Sequence, residues 1–345
     1  MQGKTLKAAI SAKSHAQQFC QTFRDAHSLA TKLLIGRLTQ HEKGLKAAVR
    51  YALDYQVTSD YPYLMKYAFC RRESDGNAIT PILAGVHLLQ TSTMITDDIF
   101  DVSHLRYGRT VLHRRHGLSQ AIIVAALFQA AGLEEISNRL ATGRFKNTAR
   151  VLALLNRTIA ECYIGQYLDV ATSGDAKMIV NLYYRVIRLC AGNFFANLAT
   201  CGALLAGKTP HQTAALARFG YHYGLGLFIT DDIVDITDTP RQTGKSLSPD
   251  LKGRRMRLPM IIALQVSRAR EKKLLCEFLR SSRDSDADTI AAAQLIRDSG
   301  ALAFCKRAAD GHLQRAKRAL NTVTNPLTRS RLAWMCDSLF TAQEI

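Results

Sequence analysis

The sequence predicts an all-helical fold, and three observations carry that prediction. Only seven prolines occur in 345 residues. Apolar residues recur at spacings of three and four almost throughout, the period of an amphipathic helix and not of a strand. The segments that interrupt the pattern are short and rich in Gly, Pro, Ser, Thr, Asp and Asn (72–80, 207–210, 236–250, 282–287 and 323–326), as turn-forming connections are. No long linker or low-complexity tract divides the chain. It therefore reads as a single all-helical domain over 1–345, with 1–45 an N-terminal helical segment ahead of the part that carries the motifs.

Taken in order, the elements are set by local signals. Thr80-Pro81 and Thr209-Pro210 have the form of an N-cap followed by a proline in the first turn, so helices should start there. The first of these runs through Leu88-Leu89-Gln90-Thr91-Ser92-Thr93-Met94-Ile95-Thr96 into Asp97, Asp98 and Asp101. On a helix, residues four apart share a face, so Asp97 and Asp101 point the same way with Asp98 beside them. Ser92 and Thr93, one turn earlier, are small. They either leave depth beneath the carboxylates or allow a close helix contact. Arg106-Tyr107-Gly108 follows, and Arg106 has the guanidinium geometry that suits a phosphate. Gly165-Gln166-Tyr167-Leu168-Asp169 puts Gln166 and Asp169 on one helical face. The hexad then returns as Thr230-Asp231-Asp232-Ile233-Val234-Asp235. The loop 236–250 directly after it carries Pro240, Gly244, Lys245 and Pro249, with Arg255 shortly beyond.

Three carboxylates crowded at one end of an apolar helix repel one another unless a cation sits there. Hard oxygen donors of this kind suit Mg²⁺, which keeps several waters and bridges to phosphates. One such cluster is easily a solvated acidic face. Two matched clusters in a chain with 28 acidic and 46 basic residues are not. The expected site is a metal-bound diphosphate, with Asp97, Asp98, Asp101, Asp231, Asp232 and Asp235 as catalytic and metal-binding residues.

The net charge of +18 admits a nucleic acid, a membrane surface or a polyanionic small substrate as partner. Zinc spacings and the aromatic–basic signature of an RNA-binding module are missing, so no nucleic-acid partner is expected. None of the eight cysteines lies in a C-x-x-C, and they read as small buried hydrophobes. The N-terminus, Met1-Gln2-Gly3-Lys4, has no signal-peptide core, and the apolar runs 121–128 and 198–206 are short for a bilayer. A cytoplasmic protein without stable membrane insertion is expected.

These motifs resemble those of the trans-isoprenyl diphosphate synthases, the polyprenyl synthetase family. The paired D-D-x-x-D motifs match 97–101 and 231–235. G-Q-x-x-D matches Gly165 to Asp169, and the tract G-K-x-x-G-x-D-L…L-P resembles Gly244 to Leu251 with Leu258-Pro259. The resemblance runs from about residue 50 to the C-terminus. It implies the isoprenoid synthase (class I terpenoid synthase) helical bundle around a central cavity, a homodimer, and about three Mg²⁺ on an allylic prenyl diphosphate. Arg106, Lys245, Arg255 and Gln166 would then serve the diphosphate.

The resemblance breaks down at the second, acceptor substrate. The family's G-K-R-x-R-P falls on Val57-Thr58-Ser59-Asp60-Tyr61-Pro62, its R-R-G on Arg106-Tyr107-Gly108, its K-T-G on Cys190-Ala191-Gly192 and its F-Q on Leu227-Phe228. The cations that hold isopentenyl diphosphate are replaced by neutral, often aromatic residues. Three or four charge-assisted contacts, each worth roughly 1.5–3 kcal/mol, are thereby lost. The expectation drawn from this is a terpene synthase, a lyase that ionises farnesyl or geranylgeranyl diphosphate and cyclises the cation. Ser92, Thr93, Tyr61, Tyr107, Phe194, Phe195 and Phe228 would line its cavity. The alternatives are a chain-elongating prenyltransferase with a rebuilt acceptor site, reached by cations such as Lys66, Arg71 and Arg72, and a non-catalytic modulating subunit.

Overall fold

Helices account for nearly all of the architecture. The structure, a computed structural model, describes residues 2–39, 41–54, 60–237, 248–281 and 285–341. The N-terminal α1 (Gln2–Arg37) and α2 (Lys43–Asp54) lead into α3 (Asp60–Phe69) and the long α4 (Gly76–Phe100). A small antiparallel hairpin, β1 (Leu105–Arg106) and β2 (Arg109–Thr110), precedes α5 (Leu112–His116), α6 (Leu118–Leu140) and α7 (Thr148–Ala171). Next, α8 (Val180–Ile187) passes through a π-helical turn, Arg188–Gly192, into α9 (Asn193–Leu205). The 28-residue α10 (Pro210–Thr237) carries the second aspartate hexad. The short α11 (Pro249–Lys252) and α12 (Leu258–Val266) follow, then α13 (Ala269–Arg280), α14 (Asp286–Asp298), α15 (Ala301–Ala319) and α16 (Pro326–Thr341).

Packing is organised on α4 and α10. Helix α6 lies along α4, and α9 and α15 lie along α10. The contact of α4 with α6 is close because glycines meet there. A Cβ on Gly85 would stand 2.7 Å from the Gly132 carbonyl oxygen, and one on Gly132 would stand 2.7 Å from that of Gly85. One core cluster joins α3, α9 and α10 through Tyr63, Tyr67, Phe195, Phe219 and Tyr223. A second, around Tyr183, Met256 and Ile261, lies under the second hexad, and a third joins α1 and α2 to α4 and α6. Ala26, Ala30 and Leu34 of α1 are fully buried or nearly so.

Several local expectations need correction. Helix α4 begins at Gly76, so Pro81 lies inside it and not in its first turn; Asp75 is the N-cap. Helix α10 does begin at Pro210, with the Thr209 hydroxyl accepting from the Gln212 amide at 3.3 Å. Interruptions at 101–111, 141–147 and 172–179 carry too little Pro to read as breaks, and the hairpin is a β element in a chain that reads as all helix. Glu73–Phe100 and Leu118–Leu140 are long and apolar enough to cross a membrane, although the separate apolar runs suggested otherwise. In the first, 67% of the apolar window is buried inside the molecule, and in the second 44%.

Candidate active site

Both aspartate hexads face one cavity of about 320 Å³. Asp97 and Asp98 sit in the last turn of α4, and Asp101 is its C-cap. The negative end of the helix dipole is therefore crowded with three carboxylates, an unfavourable placement without cations. Asp231, Asp232 and Asp235 come from the last two turns of α10 on the opposite wall.

The carboxylates are not equivalent. Arg106 clamps the first pair: Nε donates to Asp98 Oδ1 at 2.8 Å and a terminal nitrogen to Asp97 Oδ2 at 3.0 Å. The hairpin turn sets this clamp. Tyr107 and Gly108 both have positive φ, 51° and 74°, which folds β1 against β2 in two residues. Gln166 donates to Asp97 Oδ1 at 3.1 Å from α7. Asp232 is buried and already bound, accepting from the Tyr183 hydroxyl at 2.6 Å and the Leu258 amide at 3.3 Å. Burial pushes its carboxyl up to about 7. Burial, with the charges of Asp97 and Asp250, also raises Asp101 well above the ordinary range. Asp231 is exposed to the cavity and, among the described residues, makes no hydrogen bond or ion pair.

Two arginines after α11 tie the clusters together. Arg255 is 3% exposed; its Nε donates to Asp101 Oδ1 at 2.9 Å, and it also bonds the Phe100 carbonyl and the Ser173 hydroxyl. It does not line the cavity, so the expectation that it touches a diphosphate is corrected: burial between α4 and α7 makes it a brace for Asp101. Arg257 does line the cavity. It donates to Asp169 at 2.7 Å and Asp250 at 2.8 Å, and its Nε stands 3.8 Å from Asp232. Sequence reading missed Arg257. It falls at an unspecified position of the tract, and only its place two residues after Arg255 hinted at a shared site.

The remaining candidates divide. Thr93, Tyr61, Tyr107, Phe195 and Phe228 line the cavity. Ser92 does not: its hydroxyl donates to the Ala125 carbonyl at 2.8 Å, so its small size serves the contact with α6. Phe194 is buried behind Tyr61, with ring centroids 4.6 Å apart, and also does not line it. Lys245 and the positions Thr58 and Ser59 lie outside the described residues. Gln90 and Asp60 line the cavity and were not singled out. The Asp60 carboxylate accepts from the Tyr223 hydroxyl at 2.9 Å, and burial raises its carboxyl to about 6.

Among the described residues, the cations lining the cavity are Arg106 and Arg257. The stray cations named for a rebuilt acceptor site do not reach it. Lys66 is buried against α1, donating to the Thr22 hydroxyl at 3.2 Å, and Arg71 and Arg72 stand beyond the far end of α3. The π-turn brings Cys190 to the cavity wall instead of a lysine, and Gly165 lets it approach: a Cβ there would stand 2.5 Å from Cys190 Sγ.

The donor set is all oxygen on the carboxylate side, which fits a hard divalent cation. Among the described residues no three acids converge closely enough to chelate one ion alone. Any ion here would complete its shell with water and with oxygens of a bound diphosphate, as Mg²⁺ does.

The helical bundle with two facing acidic helix ends is the all-α isoprenoid synthase fold. A polyprenyl synthase of Caulobacter crescentus, solved with calcium and isoprenyl diphosphate, superposes with a TM-score of 0.81 at 22% identity, covering 94% of this chain and 96% of that one. A geranylgeranyl pyrophosphate synthase of Corynebacterium glutamicum, solved with isoprenyl diphosphate and magnesium, gives 0.84 at 18% identity, covering 93% and 98%. The polyprenyl synthetase family model matches residues 61–296, and the chain belongs to that family. A geranylgeranyl diphosphate synthase of Mycobacterium tuberculosis is 29% identical over 246 residues, 70% of this chain and 68% of the relative. A geranylfarnesyl diphosphate synthase of Aeropyrum pernix is 27% identical over 252 residues, 73% and 78%.

These relatives overturn the terpene-cyclase expectation, and with it the assignment as a lyase. Their names are those of chain-elongating synthases, which are transferases. The argument from lost cations assumed that only residues at the family's aligned positions can hold an acceptor. A folded cavity can place other groups there.

Proposed function

We propose that this chain is a chain-elongating prenyltransferase, which joins an allylic isoprenyl diphosphate to isopentenyl diphosphate at a remodelled acceptor site. One observation carries the reading: both acidic helix ends open onto a single cavity, in a chain whose family relatives are isoprenyl diphosphate synthases. Bound divalent ions, Mg²⁺ in the first place, would supply the positive charge that draws pyrophosphate away from the allylic carbon. Asp97, Asp101, Asp231 and Asp235 would hold the metal–diphosphate assembly. Asp98 and Asp232, the most deeply buried of the six and held by Arg106 and by Tyr183, would set the orientation of their neighbours. Arg106 and Arg257 would turn toward the diphosphate as it binds. Tyr61, Phe195 and Phe228 line the cavity, where an aromatic face toward the allylic cation would add an attraction of roughly 0.5–2 kcal/mol. At the acceptor end stand Gln90, Asp60 and Tyr61, where the family carries more positive charge.

The family also suggests a homodimer. Leu118, Ile122 and Ile123 on α6 and Ile164 and Tyr167 on α7 are more than half exposed and would be covered by a second copy; sedimentation velocity of Ile122→Asp beside wild type tests this. All eight cysteines are free, which accords with a reducing, cytoplasmic setting.

The decisive experiment incubates the protein with Mg²⁺ and geranyl, farnesyl or geranylgeranyl diphosphate, with and without labelled isopentenyl diphosphate. A longer, labelled diphosphate is expected. Consumption of the allylic substrate with no label incorporated would defeat the elongation reading.

A further inference from the structure

At the opposite end of α3, α4 and α9 lies a second cavity, of about 280 Å³. Ala78 on its wall stands roughly 28 Å from Asp97 along α4, at 1.5 Å per residue. Its floor is apolar: Phe69 and Phe145 meet edge to face with centroids 6.0 Å apart, beside Leu205.

Its rim is cationic. Arg71 and Arg144 line it, and Arg71 reaches across to the Ala206 carbonyl at 3.3 Å. Lys208 is half-buried next to them. Burial, and after it the charge of Arg71, hold its ammonium below the ordinary lysine range. Lys146 crosses the adjacent Gly207, its Cδ 3.8 Å from where a Cβ would stand. The single acid on the wall is Asp75. Its carboxylate is taken up by the backbone amides of Arg71 and Arg72, at 2.8 and 2.9 Å. Among the described residues none of these four cations forms an ion pair, whereas Arg37, Arg139 and Lys317 elsewhere on the surface do. Asp75 offsets part of this charge at Lys208 and Arg71, and an anion over the partly desolvated pocket would offset the rest.

We propose that this pocket is a second ligand site, for an amphipathic phosphate. The phosphate or diphosphate group would be held by Arg71, Arg144 and Lys208, and a short apolar group would lie against Phe69 and Phe145. The site is independent of the aspartate cavity and of the reaction proposed for it. A free prenyl phosphate and a lipid headgroup share this chemistry.

Calorimetric titration in excess chelator removes the metal-dependent binding of diphosphate at the aspartate cavity, and the charge variants, which lie outside that cavity, report on this pocket alone. The probes are dimethylallyl diphosphate, inorganic diphosphate and phosphatidylglycerol vesicles. Wild type should bind one equivalent of dimethylallyl diphosphate, more tightly than inorganic diphosphate, with affinity falling as salt rises. Arg144→Glu with Lys208→Glu should weaken this at least about a hundredfold, the loss of two charge-assisted contacts. Its turnover of allylic substrate in Mg²⁺ should stay within twofold of wild type, which also reports that it folds. Should the double variant not fold, Arg144→Gln alone should show a smaller loss of the same sign. Phe145→Ala should weaken dimethylallyl diphosphate while sparing inorganic diphosphate. Binding of vesicles but of neither soluble diphosphate, lost in the charge variants, would assign the pocket to a lipid headgroup; absence of binding to every probe by wild type, or equal binding by the charge variants, would overturn the proposal.

Discussion

The carboxyls of Asp232, buried, and Asp60, half-buried on the cavity wall, rise to about 7 and about 6. An unfolded chain releases those protons near pH 4, so between pH 4 and 7 the folded state binds more protons than the unfolded one. Stability then falls as pH rises through that window. Asp232→Asn removes the titration and keeps an acceptor for Tyr183. In metal-free protein it should raise the melting temperature at pH 7 but not at pH 4, as read by thermal melts in chelator. Asp97→Ala and Asp231→Ala should each lower kcat at least about a hundredfold, by removing groups that organise charge in the transition state. Wild-type turnover after either change would sink the proposed metal–diphosphate assembly. The hexads were legible from the sequence because six acids repeat one pattern. The depth to which each carboxylate is buried, and its partner, were not, since they depend on Tyr183, Leu258 and Arg106 arriving from other elements.

At the scale of elements, the hairpin and two helix contacts decide the site. The turn at Tyr107 and Gly108 aims Arg106 at the first hexad. Tyr61 on α3 and Tyr107 in the turn occupy the places where the family carries arginines. Tyr61→Arg with Tyr107→Arg should lower the KM for isopentenyl diphosphate by roughly tenfold per charge-assisted contact restored, with little change for the allylic substrate. An unchanged KM would mean that the acceptor enters elsewhere. Gly85→Ala should cost about 2–3 kcal/mol in urea unfolding, because the new methyl meets the Gly132 carbonyl in a packed interface. Helix periodicity revealed α4 and α10. It did not reveal the hairpin, which is four residues of strand without β-branched alternation, nor that Ser92 turns toward α6.

For the whole molecule, α4 and α10 are brought to one cavity by packing alone, so a ligand that bridges their acidic ends should stabilise the entire fold. Mg²⁺ with inorganic diphosphate, at a hundredfold excess over the dissociation constant, should raise the melting temperature by about 4 °C, and chelator should reverse it. The sequence by itself determined the all-helical class, the two aspartate hexads and their family, because helix period and short motifs are local and survive distant divergence. The tertiary structure decided how deeply each carboxylate of the cavity is buried and what it is paired with. It also decided that Arg257 and not Arg255 lines the cavity, that Asp60 and Gln90 line it too, and that a second cationic pocket lies at the far end of the bundle. Those outcomes rest on side chains from helices far apart in the chain meeting in a packed interior. Burial and pairing there, and not residue type, fix what each group can do.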